Sequence, residues 1–258
     1  LDRSDVLAMN NLNQLLAFFG ASWGFAALVG RNHLGRFFTG APSWSMAGLA
    51  VALALGMSPA LDLTYRLNEW LLVPGSALHT WAGTLEAQAM TMTQTILNLE
   101  NGPGLVAVLI SVAVLPALCE EWLFRGTLQP ILFRGTGNLH LAIWTSAALF
   151  SAIHMQFFGF IPRLLLGAVF GYLVAFSGSI WPAVVGHFVN NAGVVIVAAW
   201  MGPEWLEQGL EPQAWSEWEA TDWGQGAGCL VLLVWALRTF SHRGDSSAYT
   251  SALAPADV

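Results

Sequence analysis

The chain has 258 residues, of which 55% are hydrophobic and only 10% charged, and its formal net charge is -7. This composition argues against an ordinary soluble domain and favours a polytopic membrane protein. The acidic balance, without any stretch that combines basic clusters with stacking aromatic residues, argues against nucleic-acid binding. The two cysteines, Cys119 and Cys229, lie in apolar runs, and they predict neither a disulfide framework nor a cysteine-based metal site.

Seven apolar runs predict an all-α, polytopic transmembrane bundle with about seven spans. In order, the runs are Leu12–Gly30, Trp44–Leu61, Leu105 to about Arg134, Leu139 to about Phe158, Arg163–Phe176, Ile180–Met201 and Gly226–Phe240. Residues 61–100 have instead an amphipathic period that is broken at Pro74-Gly75. This period predicts one or two helices that lie on the membrane or on the bundle.

The same patterns divide the chain into four parts. These are amino-terminal spans with the amphipathic segment (1–103), a helical core (104–201), an acidic, Trp-rich loop with the last span (202–240), and a disordered tail (241–258). Alternating the seven spans places Arg31, Arg36, Arg134, Arg238 and Arg243 on one side, and Arg3, Arg66 and Arg163 on the other. The positive-inside rule then predicts that the carboxyl terminus is cytoplasmic.

Two adjacent carboxylates, Glu120 and Glu121, follow an uncharged run that begins at Gly104. A charge inside a membrane helix costs roughly 2.5–3.5 kcal/mol on insertion scales, so such residues are functional candidates. In a helix, Glu121 and Arg125 are four residues apart and can form an ion pair. Glu120 points about 100° away from that face and has no local partner. We therefore predict one structural acid and one free acid.

Two further polar clusters lie inside apolar runs, one at His154 and one at His187 and Asn191. Folding the helices back at their turns places them at one depth. The turn at residues 135–138 has its centre near position 136.5, so Glu120 lies about 16.5 residues before it and His154 about 17.5 residues after it, and the two are level to about 1.5 Å along the axis. Two more folds place His187 within about one helical turn of His154. We therefore expect the three clusters to share one layer of the bundle.

A carboxylate, two imidazoles and a carboxamide in one layer predict a hydrolytic site. Glu120 could act as general base on a water molecule, and His154 could orient that water or protonate the leaving amine. His187 and Asn191, which share a helix face, could donate hydrogen bonds to the oxyanion. The same Glu120, His154 and His187 could instead hold a divalent metal such as zinc.

Each motif also has a structural interpretation. A buried ion pair is our preferred interpretation of Glu121 and Arg125, ahead of direct catalysis. His154 alone would ordinarily be a core histidine, and His187 with Asn191 an interhelical hydrogen-bond pair. Their common depth with Glu120 is what favours a site. Gly167 and Gly171, spaced as Gly-x-x-x-Gly, predict close helix packing, and Pro116 is expected to free backbone groups nearby.

The ordered motifs Glu-Glu-x-x-x-Arg (120–125), Phe-x-x-x-His (150–154) and His-x-x-x-Asn (187–191) resemble the CAAX-protease and bacteriocin-processing (CPBP) family of intramembrane endopeptidases, also called type II CAAX prenyl endopeptidase-like. The resemblance covers about residues 105–199. It implies an all-helical membrane protease with a polar cavity that opens toward the cytosol, in a bacterial inner membrane. Glu120 would activate water, His154, His187 and Asn191 would complete the site, and Glu121 with Arg125 would brace it.

The resemblance leaves the catalytic type and the substrate open. Members of this family have been described both as glutamate-dependent and as metalloproteases, and a bacterial member need not cleave prenylated termini. We expect the partners to be the lipid bilayer and a membrane-associated peptide or protein. Two other classes of function remain as alternatives: a non-enzymatic immunity or scaffold protein that uses the same cavity, and a proton-coupled transporter.

Overall fold

The structure is a computed structural model that describes residues 2–29, 44–99, 104–202 and 219–243; within these ranges it contains helices and turns but no β-strand. The predicted all-α fold is confirmed. In chain order the helices are α1 (Arg3–Asn13), α2 (Gly20–Val29), α3 (Trp44–Gly56), α4 (Ser58–Leu71), α5 (Ala77–Leu97), α6 (Leu105–Leu109), α7 (Leu115–Leu123), α8 (Gln129–Thr136), α9 (Leu139–Ala152), α10 (Phe160–Ser177), α11 (Trp181–Met201) and α12 (Ala220–Arg243). In the described part of the chain, three π-helical segments join consecutive helices: Gln14–Phe19 (α1 to α2), Ile110–Val114 (α6 to α7) and Phe124–Leu128 (α7 to α8).

The prediction of seven spans is too high for the described residues. Three helices there are long and apolar enough to cross a membrane, namely Leu105–Thr136, Phe160–Ser177 and Trp181–Met201. A fourth is possible if α3 and α4, which are bent by 52° at Met57, form one span. The predicted orientation depends on alternating seven spans and stays a prediction.

The predicted fourth span is too short. Helix α9 ends at Ala152 and has 14 residues, or about 21 Å, which is less than the roughly 30 Å of a bilayer core. A loop follows, residues 153–159, which we call the His154 loop. Met155 in this loop has a positive φ of 54°, which is unusual for a residue with a side chain. His154 therefore lies on irregular backbone and not on a helix.

The amphipathic segment forms two helices, α4 and α5, and the predicted break at Pro74-Gly75 lies between them. Helix α5 begins at Ser76, whose hydroxyl accepts a hydrogen bond from the His79 backbone N–H at 3.1 Å. Helix α4 packs against α10 and α12, and α5 packs against α1. The segment was predicted to lie either on the membrane or on the bundle, and its two helices pack on the bundle.

Helix α10 is the centre of the bundle because its small residues allow close packing. Ten consecutive residues, Leu166–Ala175, are buried. A Cβ atom added at Gly167 would lie 3.1 Å from Arg125 Nη2, and one added at Gly171 would lie 2.8 Å from Ile143 Cγ2. The two glycines therefore bring α10 against α9 and against the helix that carries the acid pair, as their spacing predicts.

Several predicted features lie outside the described residues. These are the loop with Arg31 and Arg36, most of the acidic loop (204–218) and the tail from residue 244 onward. The division of the chain into four parts stays a prediction.

Candidate active site

Glu120 lies on α7 with only 4% of its surface exposed, and its two carboxylate oxygens have different surroundings. Oε1 accepts a hydrogen bond from Gln14 Nε2 at 2.6 Å. Oε2 faces two imidazoles: it lies 4.0 Å from His154 Nε2 and 3.9 Å from His187 Nε2. Among the described residues, no protein group donates a hydrogen bond to Oε2. One oxygen is thus held, and the other is directed at both histidines.

His154 is oriented by its own loop. Its Nδ1 lies 2.7 Å from the Phe150 carbonyl oxygen, so the Nδ1–H donates to that carbonyl and Nε2 is left as an acceptor toward Glu120. The ring of Phe150 also packs edge-on against the imidazole, with 5.0 Å between the centroids. Burial, together with the positive charge of Arg163, lowers the pKa of His154 to about 3. The imidazole is therefore neutral at physiological pH.

His187 is oriented by Glu121. Its Nδ1 lies 2.8 Å from Glu121 Oε1, and its ring stacks on that of Phe170. Glu121 Oε1 also accepts a hydrogen bond from Arg125 Nη1 at 2.9 Å, which is the predicted ion pair. Glu121 therefore supports the site in two ways: it pairs with Arg125 and it orients His187. The sequence spacing predicts only the pairing with Arg125.

Arg125 is fully buried and uses both ends of its guanidinium. While Nη1 pairs with Glu121, Nη2 donates to the Gly167 carbonyl on α10 at 2.8 Å. The guanidinium carbon lies 4.7 Å from the centroid of the Phe150 ring, in cation–π contact. These contacts link α7, α9 and α10 at the level of the site.

Asn191 is bound to the helix that carries the acid pair. Its Nδ2 donates to the Val112 carbonyl at 3.0 Å, and its Oδ1 accepts from Asn190 Nδ2 at 3.1 Å. The Val112 carbonyl is available because Pro116, four residues later, has no N–H with which to close the helical bond. The backbone group that Pro116 was expected to free is thus used by a predicted site residue. The geometry brings Glu120, His154 and His187 together directly, and Asn191 through α6–α7.

Gln14 is the site residue that sequence reasoning missed. It lies in the π-helical segment Gln14–Phe19, is 4% exposed and donates to Glu120 across 106 positions of the chain. The prediction that Glu120 has no local partner agrees with its own helix, but the prediction of a free acid is wrong, because Gln14 binds Glu120 in the folded chain. The available signal was a stripe at helical spacing, in which Arg3, Leu7 and Gln14 are buried and Asn10 is half-buried.

An apolar groove lies beside the site, between the Leu105–Thr136 helix and α11. Its volume is about 190 Å³, and it is lined by Val114, Ala117, Leu118, Trp181, Val184, Val185 and Phe188. Ala117 is one helical turn from Glu121, and Val184 is one turn from His187. The groove is therefore lined by residues one turn away from the polar cluster on the two helices that carry Glu121 and His187.

The side chains of Glu120, His154 and His187 form a possible donor set for a metal ion. Glu120 Oε2 and the two Nε2 atoms are chemically suitable zinc ligands. Their separations of 3.9 and 4.0 Å exceed the roughly 3.4 Å between neighbouring ligands of a tetrahedral zinc ion. No group of three or more His, Cys, Asp or Glu side chains in the described part of the chain is arranged to hold a metal. As placed, the residues do not fit tetrahedral zinc.

The fold and the polar cluster define an integral membrane protein in which an acid–histidine site is buried between apolar helices. Residues 102–193 match the family model described as Type II CAAX prenyl endopeptidase Rce1-like, which is a protease family. The matched segment contains all six predicted site residues, but neither Gln14 nor α4 and α5.

One curated relative is the uncharacterized protein YpbD of Bacillus subtilis, which is 27% identical over 88 residues. The alignment covers 33% of this chain and 42% of the relative, so the chain spans less than half of that relative's length. No solved structure matches the chain.

Proposed function

We propose that this protein is an intramembrane endopeptidase that hydrolyses a peptide bond of a membrane-associated peptide or protein through a water molecule activated by Glu120. The observation that carries the proposal is the position of Glu120 Oε2, which is buried and within about 4 Å of both imidazole Nε2 atoms. The match of residues 102–193 to a protease family supports the type of reaction.

The hydrogen bonds determine which role each group can take. His154 donates its Nδ1–H to the Phe150 carbonyl, so its Nε2 can accept a hydrogen bond from a water molecule. Glu120 Oε2 accepts a hydrogen bond from the other hydrogen of the same water. Both hydrogens of the water are then engaged, and a lone pair is directed at the substrate carbonyl carbon. Attack transfers a proton to Glu120, and this proton passes to the leaving amine.

His187 is placed to stabilise the oxyanion. Glu121 Oε1, 2.8 Å from His187 Nδ1, holds the ring so that its Nε2 faces the site, where an Nε2–H would donate to the developing negative charge. Asn191 contributes one amide N–H to Val112 and has a second N–H for the same purpose. Fixed donors of this kind act strongly in a site from which water is excluded.

The apolar groove supports a membrane-associated substrate. It would take apolar side chains or a lipid chain of the substrate, while the scissile bond lies at the polar cluster one turn away. We place the enzyme in a bacterial inner membrane with its carboxyl terminus in the cytoplasm. No step of this mechanism passes through a metal ion.

The experiment compares the membrane peptidome of cells that produce the wild-type chain with that of cells that produce Glu120→Gln. We expect Glu120→Gln to lose about 10²–10⁴-fold in cleavage, the usual contribution of general acid–base catalysis, while it still inserts and folds. Glu219→Gln, the same charge change at the exposed start of α12, should cleave like wild type. Unchanged cleavage by Glu120→Gln would contradict the proposal and favour a non-enzymatic scaffold.

A peptide identified in this way then serves as a fluorogenic substrate for the purified enzyme, alongside a farnesylated peptide that ends in Cys-aliphatic-aliphatic-X. Cleavage of one and not the other determines whether substrates are prenylated. Metal analysis of the purified protein, with and without a chelator, tests the metal-free mechanism: a stoichiometric metal whose removal abolishes activity would contradict it.

A further inference from the structure

We infer that Gln14 is a positioning residue of this site, which fixes the carboxylate of Glu120 so that Oε2 faces the two histidines. The inference rests on the proposed function. It assigns a role to the amino-terminal helix, which lies outside the segment that matches the protease family.

The geometry of Glu120 carries the inference. A glutamate has three rotatable side-chain bonds, and a general base must hold one oxygen at the water it activates. Gln14 Nε2 binds Oε1 at 2.6 Å, which leaves Oε2 as the oxygen that faces His154 and His187. The amide must be oriented with its nitrogen toward the carboxylate, since its oxygen would repel an ionised Glu120.

Burying the polar side chain of Gln14 costs folding free energy, and a role in the site explains why it is buried. The residue is 4% exposed, and in the described structure its own Oε1 has no hydrogen-bond partner. Burying an unsatisfied amide oxygen is unfavourable, because the oxygen loses its hydrogen bonds to water. A π-helical turn begins at Gln14, and such turns are frequent at functional sites because they change the direction of a side chain.

The rest of the buried stripe aligns α1 without touching Glu120. Arg3 Nε donates to the Ile96 carbonyl at 3.0 Å, and Asn10 Nδ2 donates to the Ser111 carbonyl at 2.7 Å. The second of these bonds joins α1 to the π-helical segment just before α7. Asn10 therefore provides a matched control, because it is a buried-face amide one turn from Gln14 that binds backbone and not the site.

The experiment measures kcat and KM of the full-length enzyme with the fluorogenic peptide described above. Gln14→Met keeps the length of the side chain and removes the donor. We expect its kcat to fall by about 10- to 100-fold, because a small displacement of a catalytic group is enough for such a loss, with KM changed by less than about threefold. Asn10→Met should keep kcat within about threefold of wild type.

A second variant keeps the test valid if Gln14→Met fails to fold. Gln14→Asn retains the amide but is one methylene too short to reach Glu120, so it should show the same loss of kcat with normal thermal unfolding. Wild-type kcat in either folded variant, or equal losses for Gln14→Met and Asn10→Met, would overturn the inference. Glu120→Gln is assayed in parallel, since wild-type activity in that variant would instead overturn the proposed function.

Discussion

Glu121 contacts Arg125 and His187 through the same carboxylate oxygen, at 2.9 and 2.8 Å. It is completely buried, as is the guanidinium. Two charges that have been removed from water are tolerated only while each has its partner, because a single buried charge keeps its full desolvation cost. The pair therefore links the stability of the bundle to the orientation of His187.

Arg125→Met should be strongly destabilising for this reason. It leaves the carboxylate of Glu121 buried without its guanidinium and removes the bond to the Gly167 carbonyl. We expect a loss of about 3–5 kcal/mol in the free energy of unfolding, measured by denaturant titration in detergent micelles. Glu121→Gln combined with Arg125→Met should recover part of the loss, because the uncompensated charge is removed with its partner.

The control is Gln88→Met, at an exposed position on α5, which should change stability by no more than about 0.5 kcal/mol. If Arg125→Met and the double variant Glu121→Gln/Arg125→Met had the same free energy of unfolding, the uncompensated charge of Glu121 would not be the cause of the destabilisation.

At the scale of elements, helix α10 meets α9 through glycine. A Cβ at Gly171 would lie 2.8 Å from both Ile143 Cγ2 and Gln129 Oε1, so the helices must separate to accept it. We expect Gly171→Ala to destabilise the protein by about 1–3 kcal/mol, as overpacking of a tight interface does. Thermal unfolding in detergent, followed by circular dichroism, measures the change.

Gly193→Ala on α11 is the matched control, since among the described residues no atom outside its own stretch of helix lies within 4 Å of its added Cβ. There the better helix propensity of alanine should leave the protein as stable as wild type or slightly more so. A Gly171→Ala variant with the same melting temperature as this control would contradict the packing argument.

The common depth of Glu120, His154 and His187 along the bundle axis could be predicted from the sequence, because it depends on the positions of turns and on the rise of a helix. The turns at Gly137 and Gly178, both with positive φ, can be recognised in the sequence, and the helical rise is constant. Folding the helices at such turns is therefore enough to align the residues along the bundle. Side-chain direction was also predictable within one helix, as for Glu121 and Arg125.

Other features depend on contacts that leave no local signal. Gln14 is more than a hundred residues from Glu120, and no short turn relates the two. Helix α9 ends at Ala152 although its apolar run continues, because the His154 loop is held by other helices and not by its own sequence. Hydrophobic runs therefore predict more spans than the described residues contain. The runs depend only on composition, whereas packing determines how long each helix is.

At the scale of the whole molecule, α4 and α5 hold the His154 loop from outside the matched segment. Asn68 on α4 donates to the Phe157 and Phe158 carbonyls and accepts from the Ile161 N–H. The ring of Trp81 on α5 packs against that of Phe157 at 4.9 Å. Since His154 lies in this loop, the position of one catalytic candidate depends on two helices that are far away in sequence.

Glu86, also on α5, places a titratable carboxyl at the same contact. Burial raises the pKa of its carboxyl above its usual 4.5, and the Arg163 guanidinium and a hydrogen bond with the Phe158 backbone oppose the rise without cancelling it. The folded protein therefore holds this proton at a pH where the unfolded chain has released it. Glu86 is thus most favourable to folding at low pH, and its contribution falls as the pH rises from about 4.5 through the folded pKa.

Glu86→Gln should remove this dependence. We expect the difference in unfolding free energy between wild type and Glu86→Gln to move in favour of the variant as the pH is raised from about 4.5 to about 7. Chemical unfolding in detergent at a series of pH values measures it. Gln88→Ala, at an exposed position on the same helix, should differ from wild type by the same amount at every pH. A constant difference for Glu86→Gln as well would mean that the carboxyl of Glu86 does not change its proton affinity when α5 packs on the His154 loop.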